Sequence, residues 1–107
     1  MIALIDQHRD AIATLCREHG IRRLAVFGSA AKGAWRAGES DIDVLIDLDY
    51  GRGVGCRSMR FAARLERLLG APVDIVTERS VDSQWFRQEL DNTAVLIYDA
   101  GNAQAIT

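Results

Sequence analysis

Ser40-Asp41-Ile42-Asp43-Val44-Leu45-Ile46-Asp47-Leu48 is a stretch in which Ile42, Val44, Ile46 and Leu48 alternate with Asp41, Asp43, Leu45 and Asp47. A period of two is that of a β-strand, whose successive side chains point to opposite faces. One face therefore belongs to the core, and the other carries Asp41 and Asp43 side by side. Upstream, Leu24-Ala25-Val26-Phe27 is a short apolar run ending at Gly28-Ser29, which reads as a buried strand closed by a turn. Downstream, Val73-Asp74-Ile75-Val76-Thr77 reads as a third strand that also carries an acid near its start.

The remaining elements follow from periodicity and punctuation. Leu4, Ile5, Ile12, Leu15 and Cys16 fall near one face of a 3.6-residue period, which predicts a single helix over 4–19 stopped by Gly20. Residues 28–40 are a connection of small residues expected to include a short helical turn. Gly51-Arg52-Gly53-Val54-Gly55 reads as a flexible loop, after which Phe61, Ala62, Leu65, Leu68 and Leu69 recur at helical spacing until Gly70 and Pro72. Asp82 is positioned to cap a helix through Trp85, Phe86 and Leu90, and Ala94 to Tyr98 reads as a short edge strand. A helical crossover between the strands of Asp41 and Asp74 makes them parallel and puts both acids at the same strand ends. Antiparallel pairing of the first two strands then brings Gly28-Ser29 to the same sheet edge. The expected fold is α/β (α+β), a small mixed β-sheet with helices mainly on one face. Residues 1–100 are expected to form one domain, with a frayed tail over 101–107.

Composition excludes several classes. The chain has 107 residues, 49% apolar and 26% charged, without an apolar run approaching a membrane span. Its first residues lack the pattern of a secretory signal, so a cytoplasmic location and no membrane association are expected. Cys16 and Cys56 have no metal-ligand spacing and read as free thiols. A net charge of −2 gives no expectation of direct nucleic-acid binding. Arg52, Arg57, Arg60, Arg64 and Arg67 could form a local basic surface, and a solvated helix face balanced by Glu66 is the simpler reading.

Carboxylates two apart on a strand can bridge a pair of divalent cations, and Asp74 from the next strand can complete one coordination sphere. Such close acids repel, and without a cation at least one pKa should rise. Gly28 allows backbone to approach phosphate without a Cβ clash, Ser29 adds a hydroxyl donor, and Lys32 can reach phosphate from the same turn. Together these residues are what magnesium-dependent nucleotidyl transfer requires. Gly51-x-Gly53 lacks the third glycine of a dinucleotide loop, Cys56 standing in its place, and no Walker lysine motif occurs. His8 and His19 read as surface residues. Trp35 could stack on a base, meet a partner or anchor its loop, while Trp85 and Phe86 suit a core or interface.

Val26-Phe27-Gly28-Ser29-Ala30-Ala31-Lys32-Gly33 and Ser40-Asp41-Ile42-Asp43-Val44-Leu45-Ile46 resemble the minimal nucleotidyltransferases of the DNA polymerase β superfamily. The resemblance extends to Val73-Asp74-Ile75-Val76 and to Thr93-Ala94-Val95-Leu96-Ile97-Tyr98, with Lys32 standing where arginine is commoner. It implies a polymerase-β-like palm that uses ATP and two Mg2+ ions. Gly28, Ser29 and Lys32 would hold the triphosphate, and Asp41, Asp43 and Asp74 would serve as catalytic metal ligands. It also implies an antitoxin that pairs with a HEPN-type toxin in a hetero-oligomer and transfers AMP to a toxin tyrosine. The fold uses the whole chain, leaving no separate acceptor-binding region, which favours a protein acceptor. Two alternatives are a non-catalytic antitoxin acting by occlusion, and nucleotidyl transfer to a small molecule or RNA end.

Overall fold

The computed structural model describes residues 3–33, 35–36, 38–48, 54–78 and 83–100. In order, these form α1 (Ala3–Gln7), α2 (Arg9–Glu18), β1 (Ile21–Phe27), α3 (Gly28–Lys32), β2 (Ile42–Leu48), α4 (Val54–Leu69), β3 (Val73–Thr77), α5 (Gln84–Thr93) and β4 (Val95–Asp99). The four strands make one mixed sheet in the order β3-β2-β1-β4.

β2 is the axis of this sheet. Its alternation becomes alternating burial: Ile42, Val44, Ile46 and Leu48 are buried, whereas Asp43, Leu45 and Asp47 are half-exposed. It pairs antiparallel with β1 and parallel with β3, the parallel pair being joined through α4 as a crossover demands. Helix α2 packs over β1 and β4 and α4 over β3. The core forms between these helices and one sheet face: Ile12 and Cys16 of α2 and Phe61, Leu65 and Leu69 of α4 meet Leu24 and Val26 of β1 and the apolar row of β2. Side chains of this size each contribute about 1.5–3 kcal/mol on leaving water, so the helical face holds most of the stabilisation.

The first helix is broken where one continuous helix was expected. The His8 ring stands 2.8 Å from the Leu4 carbonyl through Nδ1, taking the oxygen that the residue's own amide would use in an unbroken α-helix. The amide tightens instead onto Ile5 O at 3.1 Å. His19 repeats the contact at the end of α2, with Nδ1 2.9 Å from Leu15 O. There the His19 amide still donates to Leu15 O, at 3.1 Å, so only at His8 does the ring displace the helical bond; both histidines stand at helix boundaries and are half-buried rather than surface residues. Gly20, at φ +69°, supplies the expected stop.

Two further boundaries differ from expectation. β1 starts at Ile21, before the apolar run, because Arg22 and Arg23 occupy exposed strand positions next to an irregularity in the pairing with β2. α4 starts at Val54, inside the expected glycine loop. The rest of that loop, the Asp82 cap, the tail over 101–107 and the side chains of Cys56, Trp85 and Phe86 lie outside the described residues. Among the described residues, no helix is long and apolar enough to cross a membrane.

Candidate active site

The strand registers assemble the site. Phe27, the last residue of β1, lies opposite Asp43, and Asp43 lies beside Asp74 of β3. Residues directly paired across neighbouring strands share a face, so Asp43 and Asp74 stand next to each other on the face away from the helical core. Asp41 precedes β2 by one residue and is exposed, as is Asp74. The Ile42 amide donates to the Pro72 carbonyl at 2.9 Å, tying the start of β2 to the start of β3. Both acid-bearing strands therefore begin at one edge.

Gly28 closes this edge from the other side. Its φ of +68° is one that side-chain-bearing residues avoid, and a Cβ there would collide with Oδ2 of Asp43. Glycine is thus required twice, by its backbone and by its neighbour. The Gly28 main chain lies against the Asp43 carboxylate, and α3 begins at this point. Ser29 is half-buried in the first turn of α3 and Ala30 is buried beneath it. Lys32 is exposed in the last turn, before Gly33 ends the helix in a left-handed conformation.

The electrostatics agree with this convergence. The Asp43 carboxyl is raised above the usual aspartate range, first by burial, then by the negative charge of Asp74, then by that of Asp41. Among the described residues, no group of three or more His, Cys, Asp or Glu side chains stands already arranged around a single metal position. Asp41 and Asp74 are exposed, whereas Asp43 is half-buried. The donor set fits magnesium nonetheless: it is all carboxylate oxygen, and a divalent cation would remove the conflict that raises Asp43.

One feature of this face lies beyond the sequence reading. Arg23 reaches both Asp47 and Glu78 at 3.5 Å, forming a charged row at the far end of the same sheet face. The run Arg22-Arg23 could have signalled it only if β1 had been started three residues earlier. Trp35 is half-buried and packs against the core, which favours the loop-anchoring role.

Comparison with known proteins gives a consistent picture. A family model described as a nucleotidyltransferase domain matches residues 8–96. The chain is 31% identical over 77 residues to the "Putative protein adenylyltransferase" of Methanocaldococcus jannaschii, covering 72% of this chain and 81% of that protein. A solved structure described as a "putative minimal nucleotidyltransferase" superposes with a TM-score of 0.75 at 36% identity, covering 88% of this chain and 95% of that one. A tri-AMPylated HEPN toxin in complex with an MNT antitoxin, from Shewanella oneidensis, has a TM-score of 0.65 at 18% identity, covering 94% of this chain and 77% of that one. At that identity the likeness is one of fold.

Proposed function

This chain belongs to the nucleotidyltransferase family as a minimal member of the DNA polymerase β superfamily, and on that premise we propose that it transfers AMP from ATP to a hydroxyl of a partner protein. The acceptor in this reading is a tyrosine of a HEPN-type toxin, which the transfer silences, in the cytoplasm where ATP is available. The chain would act as the antitoxin in a hetero-oligomer with its target.

The acceptor oxygen attacks the α-phosphorus, a new P–O bond forms, and the bond to the bridging oxygen of the β-phosphate breaks. The hydroxyl proton passes to solvent and pyrophosphate leaves. The Gly28 backbone lies where a phosphate can approach without steric obstruction, and Ser29 donates its hydroxyl to the same group. Lys32 supplies a positive charge from the end of α3 and, being a point charge rather than a planar fork, guides the triphosphate without fixing its rotation. Asp41, Asp43 and Asp74 would hold two magnesium ions, whose chemistry is to lower the pKa of the acceptor hydroxyl and to neutralise the triphosphate. The open sheet face gives a partner direct access to this edge.

The observation that carries the proposal is the seating of Gly28 against Asp43, with Asp74 in register on the next strand. The test is the intact mass of a coexpressed toxin, with the parent chain and with the Asp41→Asn/Asp43→Asn variant. AMP-sized increments are expected with the parent alone. An unmodified toxin in both cultures would reject the proposal. A second reading is inhibition by occlusion alone. Protection of cells by the double variant at ordinary expression would select that one.

A further inference from the structure

Helix α4 carries Arg57, Arg60, Arg64 and Arg67, spaced three, four and three residues apart. At 100° per residue they fall within one arc, flanking the arc that buries Phe61, Leu65 and Leu69. Arg60, Arg64 and Arg67 are exposed. Two adjoining cavities run along the stripe. One of about 410 Å³ is lined by Glu18, His19, Arg57, Arg60 and Arg64, and one of about 320 Å³ by Arg60, Ala63, Arg64 and Arg67. The small side chain of Ala63 leaves the second groove open between three guanidinium groups.

The groove already holds a carboxylate at one end. Glu18, from α2, lies 3.6 Å from Arg64, and both side chains are more than half exposed. The acid of α4 itself, Glu66, is engaged elsewhere, accepting from the Val73 amide at 3.2 Å. Every cation in the stripe is arginine, whose planar fork matches carboxylates, and Met59 is 74% exposed on the neighbouring arc one turn from Ala63. Arginine and methionine are enriched at protein interfaces and lysine is depleted there.

We propose that the α4 stripe docks an acidic helix of a partner protein, its carboxylates seated between Arg60, Arg64 and Arg67 and its apolar flank on Met59. A nucleic acid fits less well. Single strands bind by stacking bases on open aromatic faces, and the ring lining the groove, His19, is packed against Phe61. The stripe lies on the helical layer and the aspartates on the opposite sheet face, so this docking goes beyond the transfer reaction and stands independently of it.

The experiment is fluorescence anisotropy of the full chain with a labelled amphipathic helical peptide that repeats glutamates at the arginine spacing, with leucines on one flank. A scrambled peptide of the same composition and a single-stranded oligoribonucleotide of the same charge are the comparisons, with sedimentation velocity run in parallel. The ordered peptide should bind at least about tenfold tighter than the scrambled one. Arg60→Glu/Arg64→Glu should lose about thirtyfold or more, and Arg60→Lys/Arg64→Lys about three- to tenfold, since lysine keeps the charge and loses the fork. Circular dichroism checks that both variants fold, and the lysine pair keeps the comparison valid should the reversed pair not fold. Absence of peptide binding, equal binding of the scrambled peptide, tighter binding of the oligoribonucleotide, or self-association abolished by the charge reversal would each overturn the proposal. Unchanged transfer activity in the arginine variants would show that such a failure leaves the catalytic reading intact.

Discussion

The two faces of the sheet are built from the same strands and made for opposite ends. On one, Ile42, Val44, Ile46 and Leu48 are buried against Phe61 and Leu65 without any buried polar side chain among the described residues. On the other, displaced by one residue along β2, Asp43 and Asp47 stand half-exposed, with the ionised form of Asp43 penalised. The first face is optimised for stability. The second spends some of that stability on holding like charges close together, a conflict that a bound cation would relieve. Substitutions on the two faces should therefore move activity and stability separately, and four experiments can break or sharpen that separation.

The largest effect is expected from Asp41→Asn/Asp43→Asn. Transfer should fall by on the order of 10²–10³ or more, while the urea midpoint stays at or above the parent value. A variant that kept its activity would place the catalytic acids elsewhere. On the opposite face, Phe61→Ala removes a fully buried ring that packs edge-to-face with His19 at 5.7 Å between centroids. It should cost about 3–5 kcal/mol in urea denaturation, with the specific activity of the remaining folded protein unchanged.

Gly28→Ala tests the point where the faces meet. It combines a left-handed backbone, costing about 1–2 kcal/mol for a residue with a side chain, with a methyl group forced against the Asp43 carboxylate. Stability and transfer should fall together, in contrast to the first two variants.

The smallest effect has the most diagnostic sign. Because folding raises the Asp43 pKa, the folded state prefers the protonated acid, and stability is lost as pH rises from the unfolded value through the folded one. Asp43→Asn should therefore melt slightly higher than the parent at neutral pH without magnesium. That advantage should close as pH falls below the ordinary aspartate range of about 3.9, where the parent carboxyl is protonated in both states. An advantage that persisted at low pH would mean that packing, and not charge, sets the cost.

The same contrast explains what could be read from the chain alone. The alternation of β2 is dictated by the period of the pleat, so both of its faces were legible, and the parallel register of Asp43 with Asp74 follows from a helical crossover. The break at His8 was not legible, because helical periodicity continues through it and the ring-to-carbonyl contact leaves no mark on the hydrophobic pattern. Nor was the start of β1, where two arginines mask a strand stabilised by cross-sheet pairing with Asp47 and Glu78. At Val54, glycines that read as a loop precede a helix whose apolar face, at Phe61, Leu65 and Leu69, fixes it by tertiary burial. For the candidate site, the strand order that brings Gly28, Asp43 and Asp74 to one sheet edge was legible. The partial burial of Asp43 is decided by tertiary packing, which no motif records.

β1 pairs on one side with β2, close behind it in the chain, and on the other with β4, near its far end. During synthesis the second flank of β1 must wait, hydrogen-bonding groups unsatisfied, until almost every other element has left the ribosome. That interval is when a nascent chain is open to adopting a foreign strand. Until Tyr98 arrives with β4 to seal the core, that flank is the edge at which a foreign strand can add.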